Sequence, residues 1–210
     1  MKNRIIIWVS GLLMLGGLAL SSCTKNDDNT IALIGTEYYI DDILSVIPDS
    51  LQAKFKNAFG DIPEGAIPDS IDGSYVVDSN VMVNNNQYIP TPSGNPKAYI
   101  RFSRQHNGIV VMDLYDGDGQ TTDTVFVMGK EGRFTAYCIE DKVVEELNFM
   151  MKRGVVIRGK VSDEGLSDFR MAFIVMDVEG EGQGQAAAPG SYYIFKDNDG
   201  VAKRCEWPWQ

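Results

Sequence analysis

Two aspartate–glycine runs are the residues whose spacing most readily suggests chemistry. Asp116-Gly117-Asp118-Gly119 and Asp197-Asn198-Asp199-Gly200 alternate carboxylates that would present oxygens to a hard cation such as calcium. An EF-hand loop needs further ligands at fixed spacing. Setting Asp197 and Asp199 on its early ligands puts Gly200 on the loop glycine and Glu206 on the last ligand, but leaves Phe195 on the first; the other run fails with Leu114 and Val125 at its ends. Tight turns, whose Asp-Gly pairs supply positive φ, account for both runs, so no metal and no other cofactor is expected. His106 is the only histidine and sits in the polar Gln105-His106-Asn107-Gly108 stretch, where no nucleophile and base can be assembled around it. Adjacent carboxylates, Asp27-Asp28, Asp41-Asp42 and Glu145-Glu146, read as solvated surface charge, because nothing sets two of them across a cleft at glycosidase spacing. No catalytic residue is assigned, and the chain is not expected to be an enzyme. Lys152, Arg153, Arg158, Lys160 and Arg170 cluster around one hairpin, and Arg158, Lys160 and Arg170 share an outward parity. They form either a positive stripe or, as expected here, cross-strand pairs with nearby acids.

The elements that must position these groups follow from periodicity. From Thr36 to Gly60 the period is helical, in two pieces: Thr36 caps the first, with Tyr39, Ile43 and Ile47 on one side, and Pro48 stops it. Asp49 or Ser50 caps the second, Leu51, Phe55 and Phe59 form its apolar stripe, and Gly60 ends it. The stripe needs a surface to lie on. A proline-punctuated connector follows, and from Gly73 the period becomes two, with Tyr75, Val77, Val81 and Val83 on one face. Ala98, Ile100 and Phe102, then Val110, Met112 and Leu114, then Val125 and Val127, then Phe134, Ala136 and Cys138 repeat it between turns. Val155, Ile157 and Val161 come next, and Phe169, Met171, Phe173 and Val175 form the longest strand. Tyr192 and Ile194 open a last hairpin through Asp197–Gly200 towards Trp207-Pro208-Trp209. Asp141 to Met151 fits a short helix or a strand from Leu147 onward, and the strand is expected. Short connections force antiparallel neighbours. A mainly β chain of about eight to ten such strands has an edge problem that closure into a barrel removes.

The N-terminus carries an address. Lys2 and Arg4, the apolar run Ile5–Leu20 and small residues after it have the order of a secretory signal. Leu20-Ser21-Ser22-Cys23 resembles the lipobox of bacterial lipoproteins, which implies that residues 1–22 are removed and Cys23 is lipidated. The polar stretch within 23–35 reads as an anchor and tether, 36–72 as helical segment and connector, and 73–210 as the barrel. Acidic Asp27 and Asp28 behind Lys25-Asn26 resemble the surface-export signal of Bacteroidetes lipoproteins, so either the surface or the periplasmic face of the outer membrane is open. The strand pattern over Gly73 to Trp209, with the anchor, resembles the lipocalin-like barrel lipoproteins of Bacteroidetes; Gly73-Ser74-Tyr75 stands where lipocalins carry Gly-x-Trp. Asp49-Ser50-Leu51, Asp69-Ser70-Ile71 and Asp123-Thr124-Val125 each resemble the O-glycosylation tripeptide of Bacteroidetes envelope proteins.

Composition bounds the partners. Net charge is −10, and the segment before Cys23 holds two of the cations and no acid, so the mature chain is more acidic still. Nucleic acid is excluded as a partner on charge, and the lipid on Cys23 rather than a basic patch must provide the membrane contact. With Cys23 taken, Cys138 and Cys205 are left either to pair as a disulfide in an oxidising envelope or to remain two separate buried thiols. The expected function is a non-catalytic, lipid-anchored envelope protein that binds a small apolar or glycan ligand or a protein partner. The alternatives are an interaction lipoprotein with a filled barrel, or a hydrolase. An internal cavity favours the first, a filled interior the second, and paired carboxylates with raised pKa the third. Two connections are too long for hairpin turns, Asn84–Pro96 with Tyr88 and Gly180–Gly190 beside Tyr193. An even number of strands between them would place both at one barrel end; either Tyr88 and Tyr193 line a ligand mouth there, or both loops are simply solvated and Tyr88 covers a core edge.

Overall fold

The computed structural model describes residues 40–62, 67–86, 97–115, 119–145, 148–180 and 186–209. Alternating side chains form ten antiparallel strands: β1 (Gly73–Val77), β2 (Asn80–Asn85), β3 (Ala98–His106), β4 (Ile109–Tyr115), β5 (Gln120–Lys130), β6 (Arg133–Val144), β7 (Phe149–Val161), β8 (Gly165–Gly180), β9 (Tyr192–Asp197) and β10 (Val201–Arg204). From β3 to β8 each strand pairs with the next, as short connections require. β1 pairs β3 and β10, β10 also pairs β8, and β2 pairs β9, so the sheet closes into a ring. Closure satisfies the edges, which is the physical reason the barrel forms.

The final hairpin expected from Asp197–Gly200 is absent. β9 and β10 both run along β8, while β1 follows β10 and β2 follows β9. Each pair is therefore one path with a bend. Asp197 joins the two bends: its carboxylate accepts the N–H of Asp78 at 2.9 Å and of Asp199 at 3.1 Å, and Asn198 N–H donates to Ser79 O at 2.9 Å. Gly200 completes the bend at φ 83°, where a Cβ would be strained. The Asp197–Gly200 run thus spends carboxylate oxygens on turn amides, while Asp116–Asp118 lies outside the described residues. A bulge between Met82 and Asn84 breaks the alternation of β2, and Val83, expected on the inner face with Tyr75, is exposed.

Inward residues fill the barrel. Tyr75, Ile100, Phe102, Met112, Phe134, Ile157, Phe169 and Met171 are all buried, and the Tyr75 hydroxyl donates to Ile71 O at 3.0 Å. The outer face of β6 to β9 is apolar too, because two helices cover it. These are α1 (Ile40–Ser45) and α2 (Asp49–Phe59); Ile43 of α1, Ile47 between the two, and Phe55 and Phe59 of α2 bury against Tyr137, Val156, Ala172, Ile174, Tyr192 and Ile194. Phe55 stacks on Phe59 at 5.4 Å and meets Tyr192 edge-on at 5.1 Å. α1 comes so close to β7 that a Cβ on Gly154 would lie 2.3 Å from Ile43 Cγ2. Burial on both faces explains the unbroken apolar run of β8, the longest strand as expected. α2 takes Pro48 as its N-cap with no side-chain cap bond, in place of the expected Asp49 or Ser50 cap. Its C-terminal carbonyls are met from the sheet: Arg170 Nη1 donates to Ala58 O, and Arg158 Nη1 to Phe59 O at 2.9 Å. Arg158 also pairs with Asp168 on the next strand, the cross-strand pairing expected of this cluster, and the same guanidinium helps dock the helix.

Leu147, the expected start of a strand, lies outside the described residues. β6 runs to Val144 and β7 starts at Phe149, pairing Val144 with Phe149.

Candidate functional site

Strand direction sorts the connections. The β4–β5, β6–β7 and β8–β9 connections and the one leaving β2 for β3 all open at one barrel end, with an even number of strands between the two long loops. Tyr193 points inward at that end, half-buried, against the interior cluster. Tyr88, like Cys23, lies outside the described residues. The opposite end, with its short turns, holds a pocket of about 390 Å³ walled by Lys130, Arg133, Arg158 and Lys160 against Asp61, Glu131 and Asp168.

At the loop-bearing end three charged residues face inward in one cross-strand row. Asp123 on β5 stands opposite Met112 of β4. The β5–β6 register, which sets Phe126 opposite Tyr137, continues to set Asp123 opposite Glu140, and Glu140 stands opposite Arg153, itself opposite Val175. Arg153 Nε donates to Glu140 Oε1, and its guanidinium lies 4.4 Å from the Phe173 ring centroid. Glu140 is only 6% exposed. Asp123 is half-buried and lies within hydrogen-bonding reach of Glu140. Burial first, then the charge and hydrogen bond of Glu140, push the Asp123 carboxyl up to about 6, against a smaller lowering by Arg153. Two carboxylates are both acceptors, so a hydrogen bond between them needs a proton, which Asp123 holds below about pH 6. Cys138, the next inward residue below Glu140, has its thiol pushed well up by burial and by the two acids.

Polar atoms around this row lack partners among the described residues: Asp123 Oδ2, Glu140 Oε2, Thr121 Oγ1, Tyr193 Oη and Ser191 Oγ. Burial pushes the Tyr193 phenol up to about 12. Ser191 is 1% exposed. Gly190 and Tyr192 on either side of it face Pro48 and Phe55, so Ser191 turns inward, and its carbonyl takes the Val175 N–H at 2.8 Å. Buried polar atoms are ordinarily satisfied, so five such atoms at the loop-bearing end suit a hydrogen-bonding occupant.

Cys138 and Cys205 are both free thiols, the second of the two alternatives, with Cys138 buried and Cys205 half-buried. Cys138 points inward with Ala136, whereas Cys205 has the opposite parity to the inward Ala202 and follows a strand separated from β6 by β7 and β8. The barrel wall stands between them. His106 is exposed beside Asn107, Asp41 and Asp42 are exposed, and so are Ser50, Ser70 and Thr124 of the three tripeptides.

The inward row escaped the sequence reading, although its signal was present. Asp123 shares the parity of Val125 and Val127, Glu140 that of Ala136 and Cys138, and Arg153 that of Val155 and Ile157. Three neighbouring strands each placing a charge on the apolar face is the pattern to look for.

In comparisons with known proteins, no family model, no curated protein and no solved structure matches this chain. Among the described residues no helix is long and apolar enough to cross a membrane.

Proposed function

We propose that this is a lipid-anchored envelope protein, held at the outer membrane through Cys23, whose barrel binds a small hydroxyl-rich ligand of glycan type at its loop-bearing end. The observation that carries the reading is the set of unpartnered inward atoms of Asp123, Glu140, Thr121, Ser191 and Tyr193. A sugar offers alternating donors and acceptors to such a set, and an apolar ligand would leave every one of these atoms unsatisfied. Because the interior cluster fills the barrel, a ligand would meet a shallow polar site at its rim and not a deep apolar cavity. The anchor rests on the Leu20–Cys23 pattern, and fatty-acid labelling in the native host, lost in Cys23→Ala, checks it. Binding is checked by titrating the full-length protein in detergent against a panel of neutral and charged oligosaccharides. Saturable binding that falls in both Glu140→Gln and Tyr193→Phe supports the reading, and binding that both variants retain refutes it.

A second reading has one observation in its favour. A carboxyl raised to about 6 beside an ionised partner is the arrangement of a general acid, which suits a hydrolase. Turnover of aryl glycosides by the wild type, abolished in Asp123→Asn, would select it over simple binding.

A further inference from the structure

Resting on the glycan-binding reading, the geometry points to a ligand that carries a protonated primary amine, seated between the carboxylates of Asp123 and Glu140.

The argument is one of donors and charge. Asp123 and Glu140 lie within hydrogen-bonding reach of each other, and once Asp123 is ionised the buried Asp123 Oδ2 and Glu140 Oε2 have no donor from the described residues. Whatever sits between them must donate in two directions at once. A hydroxyl has a single hydrogen, whereas an ammonium has three, enough for both carboxylates and for one of the neighbouring hydroxyl oxygens of Thr121, Ser191 or Tyr193. Charge selects the same group. Glu140 is balanced by Arg153, so with its proton removed Asp123 is the uncompensated charge of the row, and a monocation restores neutrality in a poorly solvated place. An anion would meet two acids, and a divalent ion lacks its ligands, since the described residues contain no cluster of three or more metal-binding groups.

The surroundings do not supply a competing ammonium at this depth. From β4 the neighbours are Met112 and Leu114; from β5 Thr121; from β6 Cys138 below and Lys142 one inward step nearer the rim; from β7 Arg153; from β8 Phe173 and Val175; from β9 Tyr193. Lys142 is opposite Met151 and half-exposed, and it is absent from the influences acting on Asp123, which are burial, Glu140 and Arg153. Because the amine replaces a proton, ligand and proton compete. With Asp123 titrating at about 6, the binding-competent fraction rises about tenfold between about pH 5 and about pH 7.

The test compares 6-amino-6-deoxyglucose with glucose, by calorimetry on the full-length protein in detergent, across that pH range. The amine of the first stays charged throughout, as an aliphatic ammonium titrates near 10. The expected result is at least tenfold tighter binding of the amino sugar at neutral pH. That preference should fade toward pH 5 and be lost in Asp123→Asn, whose folding is checked by its far-ultraviolet spectrum. Equal affinity for the two sugars, or a preference that does not change with pH, overturns the inference while leaving the glycan site intact. Binding of neither overturns both.

Discussion

Replacing Asp123 by Asn should stabilise the protein at neutral pH and flatten its pH profile. A carboxyl whose folded pKa is about 6, above its ordinary 3.8, binds more protons folded than unfolded throughout the interval between those values. Stability from this group is therefore fully present below about pH 4, is lost as pH rises to about 6, and is constant above that. The whole shift corresponds to about 3 kcal/mol at about 1.36 kcal/mol per unit. Since the side chain is half-exposed, solvent screening leaves roughly 1 to 1.5 kcal/mol. Asn keeps the shape and supplies a permanent donor to Glu140 Oε2, so the variant should gain about that amount at pH 7 and nothing at pH 4. Urea unfolding of both proteins at intervals from about pH 4 to about pH 7 measures it. Taking the difference removes the other acids, among them Asp199, which Lys203 and Asp197 hold down at about 2 and which acts with the opposite sign at lower pH. A difference independent of pH refutes the buried pair.

Phe55→Ala removes a ring packed on both Phe59 and Tyr192 and should cost about 3–5 kcal/mol in chemical denaturation, whereas a loss under about 1 kcal/mol would mean that α2 rests loosely on the barrel. Gly154→Ala forces Ile43 away from β7, so a loss of about 1–3 kcal/mol is expected, and an unchanged melting temperature would contradict the close approach of α1. Alkylation in denaturant without reductant should modify both Cys138 and Cys205, and in the native protein Cys205 should react first, since burial keeps Cys138 from both reagent and thiolate. A chain that resists alkylation at both would carry the bridge after all.

Much of the architecture was written in the side-chain periods. Alternation over Ala98–Phe102, Val110–Leu114 and Phe134–Cys138 gave real inward faces, and Phe55 and Phe59 gave the real docking stripe of α2. What periodicity hides is which partner a strand takes. The Asp197–Gly200 run has the composition of a hairpin turn, yet the chain bends and continues along β8, because tertiary pairing with β1, β2 and β8 outweighs the local signal. A bulge such as that at Val83 shifts the parity without a mark in the residues themselves. The candidate site is less legible because charged residues mostly lie on solvent faces, so Asp123 looks like part of a surface tripeptide and Arg153 like one cation of a cluster around a hairpin, when their parity puts both inside. Tyr193 was legible because a long loop and an inward position coincide there.

The shared proton at the barrel mouth can be watched directly. Following the side-chain carboxyl carbons of ¹³C-labelled protein by NMR as pH is varied should show Asp123 titrating with a midpoint near 6, far above the ordinary 3.8, with that midpoint falling in Glu140→Gln as the neighbouring charge is removed. An Asp123 carboxyl that titrates near 4, unmoved by Glu140→Gln, would contradict the pair and the site built on it.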